Sequence, residues 1–464
     1  MLEDLKLFNS IVEELLKEEK INPITSSIKT ENLSRNIDIA LSKAPAIDKN
    51  FKSTLRQLVL KTPKTATNRF FNQLWGGRNS KAILGDLLAV MLNNSMTTYK
   101  ISGLQIGIEK EIINQICRLT RYGTDSDGTL PSGGSMGNFM AVVMARDKKD
   151  VAIRKNGVRK VMTAYTSLES HYSNIKNISF AGIGIDNLRY IETNSFGEMI
   201  PEKLEAKIKE DILKGYTPFY VNATSGTTVL GAFDPIEKLS EISKEYNLWL
   251  HVDGAICGAV IFSSKYKALL NGVENSDSFS FNAYKMLGTP LTCTVLVVQE
   301  KKYLHNSFSN KAPYLYQTHS DNYNLGKKSF QCNRRNDALK FWTLWKAVGT
   351  SGLENIVDHL FAMAEIARNY VKNNPDYTLY NTKDSITICF NYKNFEAKDL
   401  CTKMYLSNEL LVSHGSFNDI QFIRLAIVNS GNTEKDIRNF FKILEGFAKK
   451  NKSNLEKRKT VEIF

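Results

Sequence analysis

Long apolar runs, paired cysteines and internal repeats are missing from this sequence. No uninterrupted apolar run approaches the length that spans a bilayer, so we expect no membrane-spanning segment. The N-terminus, Met1-Leu-Glu-Asp-Leu-Lys6, is acidic and amphipathic, unlike a secretory signal. The six cysteines are scattered and form no CxxC pair, which argues against a disulfide framework or a zinc site. These absences predict a cytoplasmic protein without a bound metal.

Nucleotide-binding motifs of the Walker and Rossmann types are also absent. The net charge of +13 is a feature that many nucleic-acid-binding proteins share. However, the excess of lysine and arginine is spread along the chain, and its only dense run is the tail at 449–459. We therefore interpret the charge as a solvated basic surface and expect no nucleic-acid partner. The alternative, a nucleic-acid-binding protein, would show strongly salt-dependent binding.

The 464 residues are enough for two hydrophobic cores, and the pattern along the chain changes twice. Leu5, Phe8, Val12 and Leu15 recur at helical spacing, so residues 2–19 predict an amphipathic helix that Pro23 ends. This helix must bury its apolar stripe on its own body or on a second subunit. We predict an N-terminal helical segment at 1–64, a large domain at 65–335 and a small α+β domain at 336–464.

Short apolar strands alternate with helices in the middle of the chain, which predicts an α/β core around a mostly parallel sheet. Ligands of such sheets gather at the carboxyl ends of the strands. The predicted strands are 161–166, 188–192, 219–223, 248–252, 278–281 and 294–298, and two of the intervening helices are 202–213 and 235–246. Asp234 is the expected N-cap of the second of these helices, with Pro235 at its first position.

Three chemically active side chains follow predicted strands. Asp253 ends one strand, Lys285 follows another, and His171 comes shortly after a third. Pyridoxal phosphate needs a lysine for its Schiff base and an acid that keeps its pyridine nitrogen protonated. A buried Asp253 would be costly unless it were paired, and a pyridinium N–H removes that cost. A histidine beside such a pair suits stacking on the ring, and Ala255, two residues after Asp253, suits its other face.

A Gly/Ser loop opens a helix at Asp127–Asn138. Such a loop collects backbone N–H groups and the positive end of the helix around a phosphate. Glycines let the backbone approach closely, and Ser132 or Ser135 can donate from a hydroxyl. On its own this pattern also fits an ordinary helix N-terminus.

Together these residues resemble the group II pyridoxal-phosphate decarboxylases of fold type I, and they are most similar to the glutamate and cysteine-sulfinate decarboxylase branch. The resemblance covers roughly residues 65 to 430. It implies a large domain with a mostly parallel seven-stranded sheet, a small C-terminal domain and a homodimer with its active site at the interface. The matching segments are 70–74, 131–135, 170–173, 224–235, 251–253, 282–288, 314–316 and 331–334.

The resemblance also implies a role for each matched residue. Lys285 would bind pyridoxal phosphate covalently, Asp253 would pair with its pyridine nitrogen, and His171 would stack on its ring. The expected reaction is loss of CO₂ from an L-amino acid, and the first choice of substrate is acidic: glutamate, aspartate or cysteine sulfinate. Further implied contacts are Ser132, Gly133 and Ser135 with the phosphate, Thr224, Ala255 and Asn282 with the cofactor, Gln73 and Arg334 with the substrate, and Tyr314 as proton donor to Cα from a loop that crosses the dimer interface.

The sequence departs from the family pattern at two places. Ala283-Tyr284 stands where the family usually has Pro-His before the lysine, and Gly254-Ala255-Ile256 replaces the usual Ala-Ala-Trp. Both changes reshape the expected pocket, so an aromatic or basic amino acid remains an alternative substrate. A non-catalytic homologue that keeps the fold is a further alternative.

Overall fold

The computed structural model describes residues 1–25, 29–317, 321–381 and 384–451. The basic tail noted in the sequence lies largely outside these residues. Within them, the α-helices are α1 Leu2–Ile21, α2 Leu33–Asn36, α3 Asp48–Leu60, α4 Ser80–Leu92, α5 Tyr99–Ser102, α6 Leu104–Leu119, α7 Gly134–Lys149, α8 Ile153–Asn156, α9 Ser173–Phe180, α10 Pro201–Leu213, α11 Ile236–Glu245, α12 Lys302–Phe308, α13 Asp337–Lys372, α14 Ala397–Leu406 and α15 Glu434–Lys450.

The strands complete the secondary structure. They are β1 Phe70–Phe71, β2 Asp127–Thr129, β3 Met162–Ser167, β4 Leu188–Ile191, β5 Thr217–Thr224, β6 Trp249–Gly254, β7 Ser278–Asn282, β8 Thr294–Val298, β9 Tyr377–Leu379, β10 Thr387–Tyr392, β11 Leu411–Phe417 and β12 Ile420–Ala426. None of the described helices combines the length and the apolar character needed to cross a bilayer.

The chain divides into two compact units. The smaller unit comprises Met1–Gly77, Ile366–Tyr380 and Cys389–Phe464, and the larger unit comprises Arg78–Glu365 with Asn381–Ile388. The domain boundaries expected at residues 64 and 335 stay a prediction.

The larger unit is built on a seven-stranded sheet in the order β2-β8-β7-β6-β5-β3-β4, counted among the described residues. Strands β7, β6, β5, β3 and β4 run parallel, and β8 is antiparallel to both β7 and β2. The mostly parallel α/β sheet is therefore confirmed. All six predicted strands form, and the seventh, β2, lies at the start of the segment interpreted as a Gly/Ser loop.

The core of the larger unit lies between this sheet and the helices that cover it. Helix α7 packs across β5 to β8, and α9 and α12 pack beside α7. A cluster of buried apolar side chains fills the space between them, among them Met140, Met144, Phe219, Trp249 and Leu296. Strands β3, β5, β6, β7 and β8 are buried on both faces, as expected for a sheet that helices cover.

The smaller unit is built on a sheet of five described strands in the order β1-β11-β12-β10-β9. β1 is parallel to β11, whereas β11 and β12 form an antiparallel pair. Helix α15 begins with a capping box between Thr433 and Asp436, and it buries the rings of Phe440 and Phe441. The predicted N-terminal helix forms as α1, of which Ile11 is buried.

One predicted helix start is wrong in detail. The N-cap of α11 is Pro235, not Asp234, and no side chain caps the helix. The Asp234 carboxylate instead accepts hydrogen bonds from the backbone N–H groups of Met199 and Thr224, at 2.7 Å each. The carboxylate binds these two N–H groups instead of capping α11, and it therefore lies beside the end of β5.

Candidate active site

The carboxyl ends of three neighbouring parallel strands bring the predicted cofactor residues together. In the sheet register Thr224 on β5 lies opposite Asp253 on β6, and Asp253 lies opposite Ser280 on β7. β7 ends at Asn282, and Lys285 follows on a turn whose amide N–H donates to the Asn282 carbonyl at 3.0 Å. The placement predicted from strand ends is therefore observed for Asp253 and Lys285.

Asp253 is buried, with both carboxylate oxygens accepting hydrogen bonds. Oδ2 accepts from Asn138 Nδ2 at 2.6 Å, and Oδ1 accepts from the Ala255 backbone N–H at 3.0 Å. Only 3% of the residue is exposed. These two N–H donors hold the carboxylate in one orientation, in which it can accept from a protonated ring nitrogen.

His171 lies within electrostatic range of both Asp253 and Lys285. Burial lowers the pKa of its imidazole, the Asp253 charge opposes this shift, and the Lys285 charge adds to it. Its Nδ1 accepts from the Ser173 backbone N–H at 3.2 Å, so this nitrogen carries no proton. The result is a neutral imidazole with one fixed orientation, which suits stacking on an aromatic ring.

The predicted phosphate loop leads into the N-terminus of α7. Ser132 and Ser135 are exposed, and Gly133 has φ = 115° with open space where a side chain would stand. Gly134 begins the helix, and a Cβ there would come 2.9 Å from Asn282 Nδ2. Both glycines are thus required, one for its backbone conformation and one for close approach to β7.

Tyr284, the residue at the family's histidine position, reaches this helix end. Its hydroxyl accepts from Asn282 Nδ2 at 2.9 Å and forms a hydrogen bond with the backbone of Gly134. Asn282 Oδ1 in turn accepts from the Thr294 hydroxyl at 2.7 Å. Burial raises the pKa of Tyr284, so the side chain stays a neutral hydroxyl. Tyr284 therefore lies beside the phosphate loop.

These residues fit pyridoxal phosphate. A cradle of exposed hydroxyls and glycine backbone opens at a helix N-terminus, where a phosphate is favoured. The buried Asp253 carboxylate supplies the acceptor for the ring nitrogen, and Lys285 lies on the turn after the adjacent strand. No group of three His, Cys, Asp or Glu side chains suited to a metal ion occurs among the described residues.

Arg334 forms a buried ion pair in the larger unit. One terminal nitrogen donates to Glu109 Oε1 at 2.8 Å, and the other donates to the Leu130 carbonyl at 2.9 Å. The exposed fractions of the two side chains are 3% and 2%. The charge of Arg334 is thus already balanced, and its proposed contact with a substrate carboxylate stays a prediction.

Gln73 lies in the smaller unit, exposed on the turn that follows β1. The same unit contains a cation that the sequence analysis missed. Arg424 on β12 donates to the Asn72 carbonyl at 2.8 Å and to Ser413 Oγ at 2.9 Å, and burial lowers its pKa. Arg424 therefore fixes the backbone beside Gln73. The available signal was an arginine in the otherwise apolar stretch 422–426.

Tyr314 is 81% exposed on a turn at residues 313–315. Its backbone carbonyl accepts from Gln317 Nε2 at 3.0 Å. The described contacts of this chain do not bring Tyr314 to Lys285 or Asp253.

Comparison with known proteins identifies the family. The model of the pyridoxal-dependent decarboxylase conserved domain matches residues 30–393. Acidic amino acid decarboxylase GADL1 of Bos taurus is 36% identical over 368 residues, which cover 78% of this chain and 70% of that protein. Cysteine sulfinic acid decarboxylase of Homo sapiens is 34% identical over 368 residues, which cover 78% of this chain and 74% of that protein.

Solved structures agree with this assignment. The crystal structure of mouse CSAD superposes with a TM-score of 0.89 at 27% identity, covering 95% of this chain and 98% of that one. The Catharanthus roseus tryptophan decarboxylase structure, with a TM-score of 0.88 at 22% identity over 97% of this chain and 98% of that one, shows the shared fold alone. The predicted family, fold type and cofactor are confirmed: this chain belongs to the pyridoxal-dependent decarboxylases, enzymes of fold type I that use pyridoxal phosphate.

Proposed function

We propose that this decarboxylase acts on an acidic L-amino acid: glutamate, aspartate or cysteine sulfinate. The observation that carries its chemistry is the placement of Asp253 at the end of β6 and of Lys285 just after the adjacent parallel strand β7, with His171 in electrostatic range of both. The acidic substrate is supported by the relatives, since one is named an acidic amino acid decarboxylase and another a cysteine sulfinic acid decarboxylase.

In this proposal each residue around the cofactor has one task. Lys285 binds the cofactor covalently, Asp253 accepts from its pyridine nitrogen, and His171 stacks on its ring. Bound pyridoxal phosphate supplies an electron sink for the pair left on Cα when CO₂ departs. The phosphate is held by Ser132, Gly133 and Ser135, and the cofactor is lined by Thr224, Ala255 and Asn282.

Two residues are proposed to recognise the substrate. Gln73 is exposed and so is available for a polar contact. Arg334 is proposed to bind a carboxylate, which requires its guanidinium to exchange Glu109 or the Leu130 carbonyl for the substrate. Because this exchange would break a buried ion pair, the acidic preference rests on the relatives more than on Arg334.

We propose a homodimer in which Tyr314 protonates Cα in the partner's site. Tyr314 is strongly exposed, which supports a role in the partner's site rather than within its own chain.

Helix α4 supports the dimer. Gly85 packs it closely against α13, since a Cβ there would come 2.7 Å from the Leu339 carbonyl. Its other faces expose a large apolar surface, formed by Leu84, Leu87, Leu88, Val90, Met91 and Leu92.

A cytoplasmic location is part of the proposal. The six cysteines form no disulfide among the described residues; five of these thiols are buried and Cys332 is exposed. Thiols without disulfides are typical of proteins kept in a reducing compartment.

The test is a substrate panel. The purified enzyme with pyridoxal phosphate is incubated with acidic, aromatic and basic L-amino acids, and amine products are followed by mass spectrometry. We expect an amine from one or more acidic substrates, with at least a hundredfold lower yield from the others. Lys285→Ala should abolish the product, whereas Lys302→Ala, which removes an exposed lysine, should not.

Two outcomes would overturn parts of the proposal. An amine formed from tryptophan, tyrosine or lysine in preference to glutamate, aspartate and cysteine sulfinate would replace the acidic substrate with another class. Cofactor binding without any amine product would indicate that this chain is a silent member of the family.

A further inference from the structure

A chain of hydrogen bonds through the core of the larger unit ends at Asp253. It links Trp249 Nε1 to Ser278 Oγ at 2.8 Å, Ser278 Oγ to His251 Nδ1 at 2.8 Å, His251 Nε2 to Asn138 Oδ1 at 3.1 Å, and Asn138 Nδ2 to Asp253 Oδ2 at 2.6 Å. All five residues are buried. Beyond Asn138 the chain consists of His251, Ser278 and Trp249, which include no carboxylate and no lysine or arginine. Asp253 is therefore the only acidic member of the chain.

The direction of this chain follows from its two ends. The Trp249 indole N–H can only donate, so Ser278 Oγ accepts there. At the other end Asp253 Oδ2 accepts from the Asn138 amide NH₂, which turns Asn138 Oδ1 toward His251 Nε2. In the neutral tautomer that matches this arrangement, His251 Nε2 donates to Asn138 Oδ1 and Nδ1 accepts from the Ser278 hydroxyl.

The histidine in the chain stays neutral, as this direction requires. Burial lowers the pKa of His251 to about 4, and its Nδ1 and Nε2 each have a partner. The Ser280 hydroxyl lies 3.5 Å from Nε2. The four hydrogen bonds of the chain therefore run in one direction, and Asp253 is the terminal acceptor.

We propose that Asn138 and His251 are positioning residues that hold Asp253 as an acceptor for the pyridine nitrogen of the cofactor. Asn138 donates to one carboxylate oxygen and the Ala255 backbone donates to the other, so rotation of the carboxylate is opposed. This inference rests on the proposed pairing of Asp253 with the ring nitrogen, and it adds the residues that enforce it.

The experiment compares two ligands that differ in one ring atom. Full-length apoenzyme is titrated with pyridoxal phosphate and with 1-deazapyridoxal phosphate, in which a C–H group replaces the ring nitrogen. Quenching of tryptophan fluorescence gives the two dissociation constants, and their ratio measures the preference for the nitrogen. The variants are Asn138→Leu, which keeps the size but removes the amide, and Ser278→Ala, which removes the donor to His251. Tyr122→Phe, which loses a buried hydroxyl bond to Ser276 elsewhere in this unit, is the matched control.

We expect the native enzyme to prefer pyridoxal phosphate over the deaza analogue. Asn138→Leu should weaken pyridoxal phosphate binding roughly tenfold, because a hydrogen bond to a charged group is lost, while the analogue binds almost as before. Ser278→Ala should reduce the preference about threefold, since it acts through two further bonds. Tyr122→Phe should leave the ratio unchanged. Bound ¹⁵N-labelled cofactor gives an independent readout, since the pyridine ¹⁵N shift should move toward the unprotonated value in Asn138→Leu.

Failure of the inference is distinguishable from failure of the proposed function. If the native enzyme and Asp253→Asn both bind the two ligands equally, the pairing of Asp253 with the ring nitrogen is wrong. If the native enzyme prefers pyridoxal phosphate and Asn138→Leu keeps the full preference, or weakens both ligands equally, Asn138 is only structural and the inference is wrong. Should Asn138→Leu not fold, an unchanged ratio in Ser278→Ala overturns the inference and a lowered ratio supports it.

Discussion

Arg334 and Glu109 form an ion pair that is almost fully enclosed in the larger unit. We expect Arg334→Gln to lower the free energy of unfolding by about 3–5 kcal/mol, because Glu109 would keep a buried charge without its cation. The measurement is the midpoint of thermal unfolding. Adding Glu109→Gln removes that charge, so the double variant should recover most of the loss.

The same pair of variants tests the role of Arg334 toward substrate. In the double variant the fold is repaired but the guanidinium is still missing. A KM for the acidic substrate that stays at least tenfold above the native value would establish direct binding by Arg334. A native KM would limit Arg334 to its structural contact, and an undiminished midpoint in Arg334→Gln would contradict the importance of the ion pair itself.

Single residues also show what the sequence could and could not predict. Lys285 and Asp253 were predictable because each follows an apolar strand, and the chemistry of the cofactor demands both. Asn138 and His251 carry no such signal. Asn138 is separated in sequence by 115 positions from Asp253 and by 113 positions from His251, so neither contact forms a local pattern. Contacts of this kind depend on how α7 crosses the sheet, which a single sequence does not specify.

At the scale of elements, Asp234 joins the end of β5 to the turn before α11. Its pKa is raised from 3.8 to about 7, chiefly by burial, while the N–H groups of Met199 and Thr224 oppose the shift. A carboxyl group whose pKa is raised by folding stabilises the fold when protonated. That contribution is complete below about pH 4 and is lost as the pH rises through 7.

We therefore expect the effect of Asp234→Asn to depend on pH. The variant loses an acceptor for one backbone N–H, at a cost of about 1–3 kcal/mol, but its amide does not titrate. Its deficit in thermal midpoint, measured with the cofactor bound between pH 5 and pH 8, should be largest at pH 5, shrink as the pH rises to about 7 and stay constant above that. The exposed substitution Asp125→Asn serves as the control. A deficit that stays constant from pH 5 to pH 8 would mean that the two N–H bonds outweigh burial and keep the carboxylate ionised.

Periodicity was sufficient for the regular elements and insufficient at their ends. Five of the six predicted strands are buried on both faces and are easily recognised, whereas the edge strand β4 exposes Tyr190. β2 has three residues, one of them glycine, and exists only because β8 pairs with it. The long helix α13 contains a non-helical Gly349 with φ = 71°, which divides it into two helical stretches. Asp234 was predicted as the N-cap of α11 because N-cap residues are recognised from neighbouring positions in the sequence. The N–H groups that its carboxylate accepts from belong instead to Met199 and Thr224.

The whole molecule is proposed to be a dimer, and α4 provides a direct test. Leu84, Leu88 and Met91 lie along one side of this helix and are all exposed. Leu88→Glu with Met91→Glu should shift the protein from dimer to monomer in analytical ultracentrifugation, since two carboxylates would be buried in an apolar contact. Leu213→Glu, which changes an exposed leucine on α10, should leave the mass unchanged. A double variant that stays dimeric would place the interface elsewhere.

Tyr314 decides whether two chains share one active site. A chain with Lys285→Ala cannot bind the cofactor covalently, and a chain with Tyr314→Phe lacks the proposed proton donor, so each homodimer alone should be nearly inactive. If Tyr314 acts in the partner's site, a mixed dimer contains one complete site, made of Lys285 from one chain and Tyr314 from the other. Co-expression of the two variants in equal amounts should then restore about a quarter of the native rate, because half of the dimers are mixed and each has one working site. If Tyr314 acts within its own chain, no mixed dimer has a complete site, and the amine yield of the mixture should not exceed the sum of the two variants alone.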